Sequence, residues 1–230
     1  MSEVVAVIPA RGGSKRIPGK NKRLFNGVPM VVWPIKSLLE SNAFSRVIVS
    51  TDDLEIASLS ADAGAEVPFL RPEDLSGDLV GAADVVRHAV RFLGLGEEVS
   101  VMNVYPTAPL PVAIFTDAAS LHEANREHFV VGVGRYRTPI ERSLRADLGL
   151  MAHEDYSASL IRTQDLPEAY FDAGKFHIAT VSLWESRSTM MSQPFVPFFL
   201  PEWSTVDIDE EQDWAIAEVL HRAFALDAEA

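Results

Sequence analysis

The 230-residue sequence contains no cysteine. Disulfides, thiolate nucleophiles and zinc–thiolate sites are therefore excluded. Cations are scarce: 20 lysines and arginines face 33 acidic residues, a formal net charge of −13. That balance argues against a nucleic-acid binder, because phosphate-tracking surfaces need broad basic patches. No apolar run approaches the roughly 18 residues of a membrane span. The one near the start, Val4 to Ala10, is too short for a signal-peptide core and lacks a cleavage pattern. The expectation is a cytoplasmic protein with no membrane partner, ending in a frayed "ALDAEA" tail. There is no G-x-S-x-G elbow to suggest a hydrolase triad. The six histidines form no i, i+4 pair with a third ligand, and surface or partly buried positions are expected for most of them.

What is present suffices for one core. A 47% hydrophobic content in this length fits a single domain over residues 1–230. Short β-branched runs at Val4–Pro9, Val47–Ser50, Val99–Tyr105 and from Phe129 alternate with helical spacings at Pro29–Glu40, Leu54–Ala63, Ala82–Phe92 and Ile114–Ala124. An extended piece is expected over Val67–Leu70. This alternation predicts an α/β fold, a doubly wound and mostly parallel sheet covered on both faces. Ligands bind such sheets at the carboxyl ends of the strands, so the loops after Pro9, Ser50 and Tyr105 should open onto one edge. From about 136 to 170 the alternation breaks down, which reads as an inserted arm packing on another subunit. The chain returns to the sheet near Phe176–Val181. A last helix should bury Ile216, Val219, Leu220 and Phe224, which share one face.

The scarce cations are not evenly spread. In "VIPARGGSKRIPGKN", Arg11, Lys15, Arg16 and Lys20 stand among three glycines directly after the first strand. This is not a Walker loop, since five residues rather than four separate Gly13 from Gly19 and Asn21 stands where Ser or Thr is required. Nor is it a dinucleotide fingerprint, because Gly12 and Gly13 are adjacent. It can still surround a triphosphate with charge-assisted hydrogen bonds. "STDD" (Ser50–Asp53) ends the second strand, where Asp52 or Asp53 can cap the next helix as well as face a ligand. In "VDID", Asp207 and Asp209 are two apart, which in an extended segment points both carboxylates to one side, as Mg2+ needs. The same pair could serve only the dipole of the helix that follows.

Taken in order, "IPARGGSKRIPGKN", "RVIVSTDDLEIA", "YPTAPL" and "VDID" resemble the acylneuraminate cytidylyltransferases, the CMP-nonulosonate synthetases, over nearly the whole chain. "AEVPFLRPEDLSGD", "TPIERSL" and "RTQDLPEAYFDAGKF" look most like the branch acting on pseudaminic acid. Lys175, His177 and Ile178 depart from the Gln, Tyr and Trp usual there, so legionaminic or N-acetylneuraminic acid are alternatives. The resemblance implies a nucleotide-diphospho-sugar transferase-like fold, a homodimer made by the arm, and Mg2+-dependent transfer of CMP from CTP to a nonulosonic acid. It implies nucleotide contacts at Ala10, Arg11, Gly12, Gly13, Ser14, Lys15, Asn21, Asp52 and Thr107. Arg11, Lys20 and Asp209 become the catalytic residues, with Asp207 and Asp209 on the metal. Arg71, Arg142, Arg162 and Lys175 are candidates for the sugar carboxylate. A glycosyltransferase sharing the Asp-x-Asp pair, or a nucleotide-binding subunit without catalysis, are rivals from other classes.

Overall fold

A computed structural model describes residues 3–191 and 193–224. β1 (Val4–Pro9) is apolar and almost wholly buried, as a strand covered on both faces must be. After the cationic loop, β2 (Leu24–Phe25) and β3 (Val28–Pro29) form a minimal hairpin over Asn26 and Gly27, at φ +46° and +83°. Asn-Gly is the sequence signal for such a primed turn, and the sequence reading assigns no element there. α1 (Val32–Glu40) accommodates Pro34 in its first turn, where no amide is required.

β4 (Arg46–Ser50), α2 (Leu54–Asp62), α3 (Ala82–Leu93), β5 (Ser100–Val104), α4 (Val112–Glu123) and β6 (Val130–Arg135) follow as the alternation predicts. Val67–Leu70 contributes only parallel bridges beside β4, Ile48 to Glu66 and Thr51 to Leu70. The remaining elements are the hairpin β7 (Leu144–Asp147) and β8 (Leu150–His153), α5 (Tyr156–Ser159), β9 (Tyr170–Thr180), α6 (Val181–Ser186), β10 (Val196–Phe199) and α7 (Glu211–Phe224).

Six strands lie in the order β10-β6-β9-β5-β1-β4. All neighbours are parallel except β9, which runs antiparallel between β5 and β6. The return to the sheet therefore begins at Tyr170, earlier than Phe176, and in the opposite sense. An antiparallel strand places its beginning, residues 170–175, at the carboxyl ends of its neighbours. That edge is where ligands bind.

α1, α2 and α4 contribute Ile35, Leu38, Ile56 and Phe115 to a core on one face of the sheet. α3 and α6 contribute Val86, Val90 and Trp184 to the other. The predicted doubly wound α/β architecture is what forms.

Two expectations fail. The last helix buries Trp214, Ala217 and His221, while Ile216, Val219 and Phe224 are exposed. The buried stripe has the i, i+3, i+7 spacing of a helix face, but one of its members is a histidine and one an alanine, so counting large aliphatics selected the wrong side. Histidines are also more buried than expected, since His122, His177 and His221 all lie in the interior. "ALDAEA" lies outside the described residues.

In the stretch 136–169, Leu144, Leu148, Leu150 and Met151 are exposed. None of the three apolar clusters among the described residues draws a member from it. A segment without its own core needs another surface to cover those side chains.

Candidate active site

Between the cationic loop and α3 lies an open cleft of about 610 Å³ at the carboxyl edge of the sheet. Arg11, Ser14, Lys15, Arg16, Lys20 and Asn21 line it from the first loop, Arg71, Gly77 and Asp78 from the segment after β4, and Tyr105, Pro106 and Thr107 from the loop after β5. Its size suits a small-molecule ligand.

The loop is held from several sides. The Ala10 amide bonds the Ser50 carbonyl at 2.9 Å, carrying the β1–β4 ladder one step further. Gly12 donates its amide to Asp52 Oδ1 at 3.0 Å. A Cβ at Gly12 would lie 2.7 Å from Asp53 Oδ2, so the close approach requires glycine. Asn21 is buried, and its Nδ2 holds the Arg11 carbonyl at 2.9 Å. Gly19, at φ +65°, turns the chain so that Lys22 reaches Asp53 and Glu55.

Asp53 caps α2 by accepting from the amides of Glu55 and Ile56. Its carboxyl would be raised by burial, but those amides and Lys22 hold it below the ordinary range. The capping role within "STDD" therefore falls to Asp53. Asp52 anchors the loop and, like Ala10, Gly12 and Gly13, is not in the cleft lining, whereas Arg11, Ser14, Lys15, Lys20, Asn21 and Thr107 are.

The cations meet carboxylates. Arg11 Nη1 is 2.6 Å from Asp78 Oδ1, and Lys15 pairs with the other oxygen of Asp78. Arg16 Nη1 is 2.7 Å from Asp209 Oδ2, and Lys20 Nζ is 3.8 Å from Asp209 Oδ1. Lys20 also donates to the Ile208 carbonyl at 2.6 Å. Burial pulls its pKa below the usual lysine value, with Asp209 and Asp207 opposing the shift.

The joint between the two charged motifs is apolar. Ile17, inside the cationic loop, and Ile208, between Asp207 and Asp209, are both buried in one small cluster with Phe25, Met30, Trp214 and Ala217. Fully burying an isoleucine contributes about 1.5–3 kcal/mol. Through these two side chains the acidic segment and the cationic loop share one apolar contact region. Ile208 points inward, and its neighbours Asp207 and Asp209 are exposed and half-buried. Asp207 accepts no hydrogen bond among the described residues, and no group of three His, Asp or Glu that could hold a metal occurs among them.

Of the four candidates for a sugar carboxylate, only Arg71 lines the cleft. It is buried and bonds Ser50, with Nη2 2.5 Å from the carbonyl. Arg142 and Arg162 lie on the arm, where Arg142 Nη2 donates to the Ile161 carbonyl at 2.5 Å. Lys175 is corrected: its ammonium is buried and donates to the carbonyls of Val206 (2.7 Å) and Thr107 (3.2 Å), so it ties the loop after β5 to the acidic segment. Burial pushes its pKa down to about 8, against the pull of Asp207.

The sequence reading overlooked Tyr105, Asp78 and Asp172. Tyr105 lines the cleft, and burial, then Asp172 and Asp207, push its phenol up to about 12, so it remains a hydrogen-bond donor. Its only sequence signal is its place beside "PTAPL" at the end of a buried strand. Asp78 closes the "AEVPFLRPEDLSGD" run, but nothing local shows its partner, because its pairing with the loop is made across 67 residues.

Glycines that let backbone approach, four cations converging on one cleft and a carboxylate, Asp209, paired with two of them on a doubly wound sheet are the features of a nucleotidyltransferase-type site. Two solved structures share the fold over almost the whole chain. CMP:2-keto-3-deoxy-manno-octonic acid synthetase complexed with CTP has a TM-score of 0.64 at 15% identity, covering 99% of each chain. 4-Diphosphocytidyl-2C-methyl-D-erythritol synthase has a TM-score of 0.65 at 13% identity, covering 96% of this chain and 99% of that one. The chain belongs to the cytidylyltransferase family, whose sequence pattern matches residues 5–202. It is 34% identical to pseudaminic acid cytidylyltransferase of Campylobacter jejuni subsp. jejuni serotype O:2, over 95% of this chain and 96% of that protein. It is 33% identical to CMP-N,N'-diacetyllegionaminic acid synthase of Legionella pneumophila subsp. pneumophila, over 94% and 95%.

Proposed function

We propose that this cytidylyltransferase transfers CMP from CTP to the anomeric hydroxyl of a nonulosonic acid, pseudaminic acid being favoured, with release of pyrophosphate. The observation that carries the reading is the convergence of Arg11, Lys15, Arg16 and Lys20 on one cleft, with Asp209 paired to Arg16 and Lys20. Phosphoryl transfer needs mainly positioning and charge neutralisation, and this arrangement offers both. The hydroxyl oxygen attacks the α-phosphorus in line, and the bond from that phosphorus to the bridging oxygen breaks. Lys20 and Arg11 offset the charge that builds on the departing pyrophosphate. In this reading Asp209 accepts the hydroxyl's proton.

The donor set suits Mg2+, which takes one or two protein carboxylates and fills its shell with phosphate oxygens and water. Asp207 and Asp209 are the residues that would hold it. When bound, the ion would supply Lewis-acid neutralisation of the phosphates.

The exposed apolar arm at 136–170 supports a homodimer, and CTP supply supports cytoplasmic residence, with the product serving cell-surface glycan synthesis. The legionaminic relative, at 33% identity, keeps that acid as the second reading. Incubating protein with CTP, Mg2+ and a panel of pseudaminic, legionaminic and N-acetylneuraminic acids, and measuring pyrophosphate, tests the proposal. Release with one preferred acid is expected. CTP binding with no turnover of any of them, or nucleotide released to a separate acceptor, would reject it.

A further inference from the structure

His177 on β9 is fully buried, lies opposite Asn103 of β5, and is not a member of the cleft lining. Its Nε2 is 3.1 Å from Asp172 Oδ2, and its Nδ1 has no partner among the described residues. The Gly174 amide donates to the other oxygen, Asp172 Oδ1, at 3.0 Å. Gly174 sits at φ +59°, a conformation that favours glycine and bends the chain so that its amide points back at the carboxylate. Both oxygens are therefore fixed in direction, yet the side chain is 30% exposed. Each carboxylate oxygen can accept a second hydrogen bond, so half of the acceptor capacity is still open.

Asp172 is also in the right place. It lies opposite Val133, at the carboxyl end of β6. The ring of His177 is 6.1 Å from that of Tyr105, which lines the cleft, and the Tyr105 phenol feels the charge of both Asp172 and Asp207. Asp172 is not itself a member of the cleft lining; the cleft has a cationic wall at the loop, and Tyr105, which lines it, has negative charge beside it. A carboxylate tied into a buried imidazole could be a purely structural pair. That reading leaves unexplained why the carboxylate is kept partly exposed at the carboxyl edge of the sheet and fixed through both oxygens.

We infer that Asp172, clamped by His177 and the Gly174 amide, is a specificity-determining carboxylate at the sugar end of the cleft. It accepts hydrogen bonds from hydroxyl or amide N–H donors of the acid and turns the acid's own carboxylate towards the cations. His177 acts through Asp172 and is a positioning residue. The inference rests on the CMP-transfer reading above.

The test measures pyrophosphate release with CTP, Mg2+ and the panel of three nonulosonic acids. A charged hydrogen-bond acceptor lost at a binding site corresponds to a change of about tenfold or more. Asp172→Ala should raise the KM for the preferred acid by that factor, leave the KM for CTP within about twofold, and flatten the ranking of the three acids. His177→Gln should shift the same KM in the same direction, and the double variant should be no worse than Asp172→Ala, as expected when one residue acts through the other. Asp172→Asn, which keeps the acceptor for Gly174 and the side-chain shape, guards against an unfolded alanine variant and should also lose the ranking. Variants that fold and keep both the KM and the ranking overturn the inference, as does an equal rise in both KM values. A wild-type protein that turns over none of the acids removes the underlying reaction, and the inference with it, and is distinguishable from a wild type that turns over while the variants keep its preferences.

Discussion

Lowering the pH from 7 towards about 4.5 should destabilise the fold through two buried histidines, before carboxylates contribute much. Burial, followed by the charge of Arg126, pushes His122 from its ordinary 6.5 down to about 4. Its Nε2 is 3.0 Å from Ser100 Oγ and its Nδ1 has no partner among the described residues. Burial alone pushes His221 to about 4. The amide Nδ2 of Asn26 also donates to the Glu218 carbonyl, and at 3.2 Å it presents a donor to His221 Nδ1, so a proton on that nitrogen would displace a hydrogen bond. In the window between 4 and 6.5 the unfolded chain binds protons that the folded chain refuses, so stability falls as pH falls. At pH 4.5 each histidine costs about 2.5 kcal/mol, roughly 5 together, against a typical total of about 5–15. The paired carboxylates, such as Asp78 and Glu66, start from 3.8 and 4.5 in the unfolded chain, so most of their loss falls below pH 4.5. Urea unfolding followed by tryptophan fluorescence at stepped pH should show the loss, and His122→Gln with His221→Gln should flatten it. A wild-type stability constant within about 1 kcal/mol over this range, or parallel curves for the double variant, would refute the reasoning.

Three further outcomes follow from the site. Lys20→Ala should reduce kcat by about a hundredfold or more, since it removes the charge that the proposed reaction sets against the departing pyrophosphate; unchanged turnover removes Lys20 from the mechanism. Asp209→Asn should abolish activity or its dependence on Mg2+, and an active, normally Mg2+-stimulated variant contradicts the metal assignment. Ile208→Ala should cost about 2–4 kcal/mol by urea denaturation and lower activity as well, although its side chain faces away from the cleft, because the cavity loosens the segment carrying both aspartates; full activity at reduced stability would show that the cluster does not position that segment.

Much of the architecture was written in local pattern. β1, β4, β5 and β6 are short, β-branched and buried on both faces, and α3 has a clean apolar stripe ended by Gly94 in the left-handed conformation, so period and punctuation alone located them. The cationic loop was legible too, because a cluster of like charges beside glycines in an acidic chain has few purposes other than an anion. Local pattern could not show which partner each charge would meet. Asp78 reaches Arg11 across 67 residues, and Ile208 reaches the loop's Ile17 across a core shared with Phe25 and Trp214. The sense of β9 also stayed hidden, since a strand buried along most of its length reads the same in both directions. Lys175 looked like a ligand for a carboxylate until two backbone carbonyls claimed its ammonium. Composition and period depend on neighbours in sequence and so settle the class of fold and point to an anion site. Burial, pairing and the separation of the two charged motifs depend on contacts between distant segments, and only folding brings those segments together.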